Sequence, residues 1–307
     1  MQSDNWQASA SSIVIRRLLA GVSLVGLISV QFCRPWNGVG VNLSKLRRAA
    51  SVAAMVLLAA AVPANAASAI PCPSQTCRLV ASGMDQGFGA AEFAGKAYVG
   101  YMNGQLRKVD IATGSSAVLA SGLGNLRGVA ADTTGVYVAD WNGRVLRVDA
   151  ASGAAQVIAS GLTHLQGVTR HNGVTYTVGG NTLWRVDSGA QAVTTGFWMA
   201  MDVAIDGDRA VVADLGGPIR QVDLATGKVS TLVSGFYEPT HIAVTDNGTI
   251  YFMEAASILH RIEAGSTQER TVGDLRDVSV SDFSLDRFGK ALITDYSSGG
   301  RLWRMTV

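Results

Sequence analysis

Residues 128–148 read GVAADTTGVYVADWNGRVLRV, and this stretch decides the fold. Apolar and polar residues alternate in three short runs, which are separated by a Thr-Thr-Gly turn and by the pair Asn142-Gly143, a strong hairpin signal. A fourth run, Gln156–Ala159, follows a turn at residues 149–153. Two-residue alternation between such turns predicts a unit of four short antiparallel strands.

The same unit recurs along the chain. A short phrase of small residues, a glycine and an apolar residue returns in steps of 39, 39, 35, 39 and 39 residues. Four strands in roughly 40 residues is the repeat length of a propeller blade, and no segment after residue 66 has the periodicity of a helical repeat. The phrase stands at residues 81–84, 120–123, 159–162, 194–197, 233–236 and, in degenerate form, 272–275.

The two ends of the repeat array complement each other. The last unit stops after its third strand, at Arg301–Met305, and a strand of the missing fourth type stands at the front, at Arg78–Gly83. Joining the two would close a ring and leave no long sheet edge exposed. We therefore predict an all-β fold for residues 78–307: a six-bladed β-propeller with four-stranded blades, its ring closed by an N-terminal strand.

By its residue pattern the unit resembles that of the NHL-repeat propellers. Their pattern is Gly-Val-Ala-x-Asp, a turn glycine, Val-Tyr-Val-Ala-Asp, and a hairpin that leads into Arg-Val. Gly128–Val148 matches this pattern nearly throughout, and Asp202–Val222 matches it fairly well. The resemblance implies a six-bladed propeller of the NHL-repeat and streptogramin-lyase-like kind. This fold hosts sensor and scaffolding domains, streptogramin lyases and lactonase-type hydrolases, so the resemblance leaves the function open.

A basic segment, an apolar run and a small-x-small cleavage pattern precede the repeats. They are, in this order, Lys45–Arg48, Ala49–Val62 and Ala64–Ala66. The apolar run is shorter than the roughly 20 residues that a membrane-spanning helix needs. Residues 1–66 are therefore predicted to be a leader with a cleaved signal peptide. The protein is then expected to be secreted or extracytoplasmic, in the cell envelope, with no stable membrane span after cleavage.

The sequence also predicts a translation start inside the leader. The segment Val41–Ala66 is a complete signal by itself, whereas residues 1–40 hold another apolar run that is also too short for a span. Translation is therefore expected to start near Val41.

Residues 67–77 are expected to form a mature N-terminal segment with a pair of cysteines. Exported proteins meet oxidising surroundings, which favours a disulfide between Cys72 and Cys77. Their C-x4-C spacing matches no strong zinc motif.

The composition argues against a nucleic-acid partner. The net charge of +2 comes from the leader, because residues 1–66 carry six basic residues and one acidic residue, whereas the rest of the chain carries 19 basic and 22 acidic residues. No basic stripe remains that could attract phosphates. With 48% apolar and 16% charged residues, the chain is that of a well-buried globular protein.

Two in-phase positions of each blade are predicted to ring one mouth of the central channel, because the first strand of a blade starts and the second strand ends on the same face. Blades one to three carry mostly glycine there, whereas blades four to six carry acids and one histidine. The first position is occupied by Gly89, Gly128, Gly167, Asp202, His241 and Asp282. The second is occupied by Tyr101, Asp140, Gly179, Asp214, Glu254 and Asp295.

This asymmetry predicts a metal site as one of two alternatives. Asp202, His241, Glu254 and Asp282 could face one another across the mouth and hold a divalent cation, since carboxylates and an imidazole suit Mg²⁺, Mn²⁺ or Ca²⁺. The alternative is a polar channel mouth that is merely solvated.

The fifth unit, Glu238–Glu254, looks like the catalytic blade of the streptogramin lyases. The resemblance implies that His241 is the catalytic base and that Glu254 is a metal-binding catalytic glutamate. The chain departs from the family pattern where the family has a second glutamate two residues before its histidine, because Pro239 stands there. Lactonase-type relatives carry a metal-binding aspartate where this chain has Met201.

Aromatic residues beside the loops of the same face favour a binding site. Trp141, Trp198 and Tyr237 could form its rim, and the predicted ligand-binding set also includes Asp140, Asp214 and Asp295. Because the repeats are intact while each catalytic motif is broken, we expect an exported binding, sensor or scaffold domain. Its channel face would take a small molecule, a glycan or a protein. The alternative is a metal-assisted lyase or hydrolase that acts on a cyclic ester or lactone.

Overall fold

The computed structural model describes residues 77–187, 189–276, 278–286, 288–296 and 299–307. The predicted leader, its signal peptide and Cys72 lie outside the described residues, so export and the Cys72–Cys77 disulfide stay predictions. The described chain forms six sheets of four strands each. In this part of the chain there is no helix with the length and apolar character that crossing a membrane requires.

The chain enters the fold with β1 (Arg78–Ser82). Blade 1 consists of β2 (Gly87–Phe93), β3 (Lys96–Tyr101), β4 (Leu106–Asp110) and β5 (Ser116–Ala120). Blade 2 consists of β6 (Leu126–Asp132), β7 (Gly135–Asp140), β8 (Arg144–Val148) and β9 (Ala155–Ala159). Blade 3 consists of β10 (Leu165–His171), β11 (Val174–Gly179), β12 (Thr182–Val186) and β13 (Ala190–Thr195).

The second half of the ring repeats the arrangement. Blade 4 consists of β14 (Ala200–Asp206), β15 (Arg209–Asp214), β16 (Ile219–Asp223) and β17 (Val229–Val233). Blade 5 consists of β18 (Pro239–Val244), β19 (Ile250–Glu254), β20 (Ile258–Ile262) and β21 (Glu269–Asp274). Blade 6 takes its inner three strands from the end of the chain, as β22 (Val280–Leu285), β23 (Lys290–Asp295) and β24 (Arg301–Thr306).

The N-terminal strand closes the ring. In the sixth sheet the strand order is β22-β23-β24-β1, so β1 is the outer strand of blade 6. It pairs with β24 in antiparallel fashion, from Arg78 opposite Arg304 to Ser82 opposite Arg301. The predicted all-β fold of six four-stranded blades is confirmed, together with its closure by a strand from the front of the chain.

The apolar core lies between neighbouring blades. The buried apolar residues form six clusters, and each cluster joins two blades that are adjacent in the ring. Val99 of blade 1 packs in one cluster with Leu292 of blade 6, and Val211 of blade 4 packs in another with Phe252 of blade 5. Each fully buried large side chain contributes roughly 1.5–3 kcal/mol to stability. Period-2 alternation therefore stabilises the ring through contacts between blades.

The acid at the end of the third strand shapes the turn that follows it. Oδ1 of Asp149 accepts hydrogen bonds from the backbone N–H groups of Ala151 and Ser152, at 3.1 and 2.7 Å. Hydrogen bonds from Ser152 to Asp149, and from Thr226 to Asp223, hold the pKa of these two carboxyls below the usual range. The recurring acid of the repeat is therefore a turn-forming residue.

Each innermost strand has an irregular pairing register near its start. Such a bulge bends a strand and turns the next side chains in a new direction. The shifts lie between Gly87 and Ala90, Leu126 and Gly128, Leu165 and Val168, Ala200 and Asp202, Pro239 and His241, and Val280 and Asp282.

Candidate functional site

The innermost strands of all six blades line a central channel with a volume of about 960 Å³. We call the face on which these strands begin the start face; it carries the ring positions from Gly89 to Asp282. The second strand of each blade ends there too, because Leu126 pairs with Asp140 and Val280 pairs with Asp295. The start face is therefore the face on which the predicted site residues lie.

Blades 1 to 3 need glycine at the first ring position because the next innermost strand comes very close. A Cβ atom on Gly89 would lie less than 3.0 Å from the backbone carbonyl oxygen of Arg127. On Gly128 it would lie 2.6 Å from the carbonyl oxygen of Gln166. No real Cβ atom tolerates such distances, so this half of the ring has no room for a side chain at the first ring position.

Blades 4 to 6 use the same position to bond to the next blade. Oδ2 of Asp202 accepts a hydrogen bond from the backbone N–H of Ile242, at 3.0 Å. Oδ2 of Asp282 accepts one from the backbone N–H of Ala90, at 2.7 Å. His241 continues the pattern, since its Nε2 donates to the carbonyl oxygen of Ser281 at 3.1 Å. These three side chains line the channel and also tie neighbouring blades together.

Burial sets the protonation of these groups. It raises the pKa of Asp202 to about 7. It also raises the pKa of Asp282 well above its usual value, and the nearby charge of Asp202 adds to that rise. Burial lowers the pKa of His241 to about 4, so its imidazole is neutral at pH 7. Because Nε2 carries the proton donated to Ser281, Nδ1 is an acceptor, and it is buried without a hydrogen-bond partner among the described residues.

Glu254 is separated from the other predicted metal ligands. Its Oε1 accepts a hydrogen bond from the backbone N–H of Tyr237 at 2.7 Å, and its Oε2 lies 3.0 Å from Nε2 of His260. His260 also contacts Glu269 and stacks on Phe252, with ring centroids 4.8 Å apart. The structure therefore places Glu254 in a network of blade 5 that does not line the channel.

The remaining three groups do not fit a divalent cation as a set. Both carboxylate oxygens of Asp202 accept backbone N–H groups, because Val203 donates to Oδ1 at 2.8 Å. Oδ1 of Asp282 lies 3.7 Å from Nε2 of His241, which is a nitrogen that carries a proton. Within the ranges that the structure describes, no three histidine, cysteine, aspartate or glutamate side chains form a metal-holding group. The predicted cation thus has no complete donor set here and stays a prediction.

The three aspartates of the predicted ligand-binding set are buried in hairpins. Asp140, Asp214 and Asp295 are 0–1% exposed. Each pairs with an arginine at the start of the next strand: Arg144 with Asp140, Arg220 with Asp214 and Arg301 with Asp295. Asp140 also accepts the backbone N–H of Asn125, at 2.9 Å. In this arrangement the carboxylates hold the loops of the start face in shape, and their burial leaves no surface for a ligand.

The predicted aromatic residues lie at the start face and differ in exposure. Trp198 is 78% exposed and Tyr237 is 67% exposed, which is unusual for side chains of this size. Trp141 is half-buried and packs against His164, with ring centroids 4.7 Å apart. Tyr296, which the sequence did not single out, is exposed at the same face and lines the channel.

Sequence reasoning also missed Arg127, which lines the channel beside the start of β6. Its guanidinium lies over the ring of Phe88, 4.5 Å from the centroid, and over the ring of Trp141 at 5.1 Å. A signal was available, because Arg127 is the one charged residue at the position that precedes the first ring position. The six residues there are Phe88, Arg127, Gln166, Met201, Thr240 and Ser281.

Solved structures resemble this chain in fold. A Bacteroides thetaiotaomicron protein of unknown function is 12% identical, with 76% of both chains covered and a TM-score of 0.62. Streptogramin B lyase is 9% identical, with 74% of this chain and 96% of that chain covered and a TM-score of 0.57. A chain of the nidogen/laminin complex is 14% identical, with 60% of this chain and 78% of that chain covered and a TM-score of 0.55.

The fold that this chain shares with these solved structures is the β-propeller. No family model and no curated protein matches the sequence. At identities of 9–14%, the solved structures show the propeller fold and leave the activity of this chain to its own residues.

Proposed function

We propose that the chain is an exported binding propeller, which takes a small molecule, a glycan or a protein at the start face. The observation that carries this proposal is the contrast between the channel wall and the rim. Asp202, His241 and Asp282 of the wall are engaged in hydrogen bonds between blades. On the start face, Trp198, Tyr237 and Tyr296 present exposed aromatic surface. Rigid aromatic side chains around a concave opening are typical anchors for ligands.

Export belongs to the same proposal and rests on the leader. The signal pattern at Lys45–Ala66 supports an extracytoplasmic location, in which a propeller face meets ligands from outside the cell. N-terminal sequencing of the protein isolated from its own cells tests this part. A product that begins near residue 67 supports export, and one that keeps residues 1–66 contradicts it.

The binding proposal is tested with a melting-temperature screen of the full chain. The probes are a panel of sugars, amino acids, nucleotides and short peptides, and the variant is the double substitution Trp198→Ala, Tyr237→Ala. The matched control is Phe288→Ala, because Phe288 is 72% exposed and lies in the loop after β22, on the opposite face. A ligand should raise the melting temperature of the wild type and of the control, since it binds the folded state alone. The double variant should lose that rise.

A rise that persists in the double variant would place the site elsewhere. No rise with any probe would contradict a small-molecule or glycan ligand and leave a protein partner.

A metal-assisted lyase or hydrolase is the second candidate function. What favours it is the buried Nδ1 of His241, an acceptor without a partner on a neutral imidazole in the channel wall. Such a nitrogen could take a proton from a substrate. Turnover of a cyclic ester or lactone by the wild type, lost in His241→Asn, would support the enzyme. The separation of Glu254 from His241 argues against it, because the two residues would have to act together.

A further inference from the structure

Arg127 differs from the other arginines that line the channel. Arg170 forms an ion pair with Asp132 at 2.8 Å, and Arg276 pairs with Asp274. Arg127 has no ion pair and no hydrogen bond from its side chain among the described residues, and its Nε is buried without a partner. Even a partly buried charge without a partner is costly, so an arginine left in this state calls for an explanation.

The guanidinium is held in place by rings. Phe88 of blade 1 and Trp141 of blade 2 both lie within 5.1 Å of it, measured from the guanidinium carbon to the ring centroids. Cation–π contacts of this kind fix the plane of a guanidinium but leave its N–H groups without acceptors. Burial lowers the pKa of Arg127, and the phenol of Tyr296 partly offsets that effect. The side chain is thus a positioned cation with unused donors at the mouth of the channel.

The two acids at the first ring position do not neutralise it. Asp202 and Asp282 point their bonded oxygens at backbone N–H groups of blades 5 and 1, and neither forms an ion pair with Arg127. Burial also favours the protonated forms of both acids, which reduces their repulsion of an incoming anion. Arg127 is therefore, among the described residues, a positive group without a matching acid beside blades 1 and 2.

We propose that Arg127 anchors an oxyanion-binding subsite, at which a carboxylate or phosphate group of the ligand contacts the guanidinium between blades 1 and 2. The planar fork of arginine donors matches the oxygens of either group. The amide of Gln166 and the hydroxyl of Tyr296 also line the channel and are donors of the kind that would complete the contact. The rings of Phe88 and Trp141 beside the guanidinium suit a ligand whose charged group is joined to a flat or apolar body. This inference deepens the proposed function, because it gives the chemistry of the ligand at the same face.

Isothermal titration calorimetry on the full chain tests the subsite with three probes. Benzoate carries the carboxylate, inorganic phosphate carries the phosphate, and benzamide is the neutral counterpart of benzoate. The variant is Arg127→Met, which keeps an apolar side chain between the rings and removes the charge. The matched control is Arg107→Met, because Arg107 also lies over a ring, that of Tyr101 at 5.7 Å, but does not line the channel.

We expect benzoate or phosphate to bind the wild type and the control equally, and to bind Arg127→Met about tenfold more weakly or worse. Whichever of the two probes binds the wild type more tightly identifies the group. The melting temperature of Arg127→Met should match or exceed that of the wild type, since an unpaired charge is removed. This readout separates loss of binding from loss of folding.

Three results would overturn the subsite. They are no binding of either anion to the wild type, equal binding of the tighter anion to Arg127→Met, and, where benzoate is the tighter anion, equal binding of benzoate and benzamide to the wild type. The first result would leave Arg127 as a packing residue between two rings. The test is also distinct from that of the wider proposal. If the double variant of Trp198 and Tyr237 still binds benzoate, the oxyanion subsite holds even when those two residues take no part.

Discussion

The two halves of the ring build one channel mouth by different means. In blades 1 to 3 the first ring position is glycine, and neighbouring innermost strands lie so close that Gly89 faces the backbone of the next blade. In blades 4 to 6 the same position carries Asp202, His241 and Asp282, and each of these side chains bonds to the backbone of the following blade. Close contact of backbones in one half corresponds to side-chain hydrogen bonds in the other.

The half of the ring with the most charged residues is not the half with the unpaired charge of Arg127. The half of the ring that is rich in acids is largely satisfied internally, because its carboxylates accept backbone N–H groups. In the part of the chain that the structure describes, a charge without an ion-pair partner lies in the other half, on Arg127. The cluster of Asp202, His241 and Asp282 is therefore mainly structural. The proposed ligand-binding residue, Arg127, lies in the half whose first ring position is glycine.

The largest loss of stability is expected in blades 1 to 3, where the first ring position is glycine. Gly89→Ala should destabilise the protein by about 3 kcal/mol, because its Cβ would press against the backbone oxygen of Arg127 and the innermost strands would have to move apart. Gly128→Ala should also destabilise, since its Cβ would lie 2.6 Å from the carbonyl oxygen of Gln166. Urea unfolding followed by tryptophan fluorescence measures both. A variant at Gly89 as stable as the wild type would contradict the close approach of blades 1 and 2.

A smaller loss of stability is expected when a hydrogen bond between blades is removed in blades 4 to 6. Asp202→Ala should cost about 1–2 kcal/mol, because the N–H of Ile242 loses its acceptor inside the ring. Asp202→Asn keeps an acceptor oxygen and should cost about 0.5 kcal/mol. Urea unfolding at pH 5, below the folded-state pKa of Asp202, compares the neutral side chains. Equal losses for alanine and asparagine would show that the bond to Ile242 contributes nothing.

The titratable residues at the first ring position of blades 4 to 6 should also make stability depend on pH. The pKa of Asp202 rises from 3.8 to about 7 on folding, and that of Asp282 is raised too. At a pH between the unfolded and folded pKa values of Asp202, the folded state holds a proton that the unfolded state has lost. Stability should therefore fall as the pH rises from about 4 to 7. Each group can contribute up to about 1.4 kcal/mol per pH unit. His241, lowered from 6.5 to about 4, acts in the opposite direction, because stability is lost as the pH falls through that range.

Single variants separate these contributions. In urea unfolding at pH 4.5 to 7.5, Asp202→Asn should flatten the decline with rising pH, and His241→Asn should make it steeper. A wild-type curve that rises throughout this range, unchanged by Asp202→Asn, would mean that the acids are ionised in the folded protein.

The smallest effect is expected from divalent cations. Mg²⁺, Mn²⁺ and Ca²⁺ should leave the melting temperature unchanged, because Asp202 and Glu254 already use both of their oxygens in other contacts. A rise of the melting temperature with one of these ions, absent in Asp282→Asn and His241→Asn, would instead establish the metal site that the sequence suggests.

The sequence predicted the fold because the repeat encodes it locally. The alternation, the turn glycines and the strand at residues 78–83 were enough to give six blades and the closure of the ring. The first ring position was also placed correctly, since Asp202, His241 and Asp282 line the channel. Each of these facts follows from position in a repeat, and position can be counted along the chain.

The direction in which each side chain points could not be predicted from its position in the repeat. The second ring position lies on the same face, but Asp140 and Asp214 are buried against arginines of their own hairpins. The register shift at the start of every innermost strand decides which residues turn toward the channel, and the repeat pattern does not show where the shift occurs. Arg127 was missed for a related reason, because the lack of a partner becomes visible only when the neighbouring blades are in place.

The pairing of β1 with β24 orders the events by which the protein folds. Arg78 emerges early during synthesis, and its partner Arg304 emerges only after all the other strands of the ring have been made. Until then blade 6 has no outer strand, and β1 remains an unpaired segment with an open edge. Contacts between residues so distant in sequence make folding slow, because a large loop must close first. Ring closure is therefore expected to be the last step, and a chain cut short before β24 should remain a substrate for chaperones and proteases.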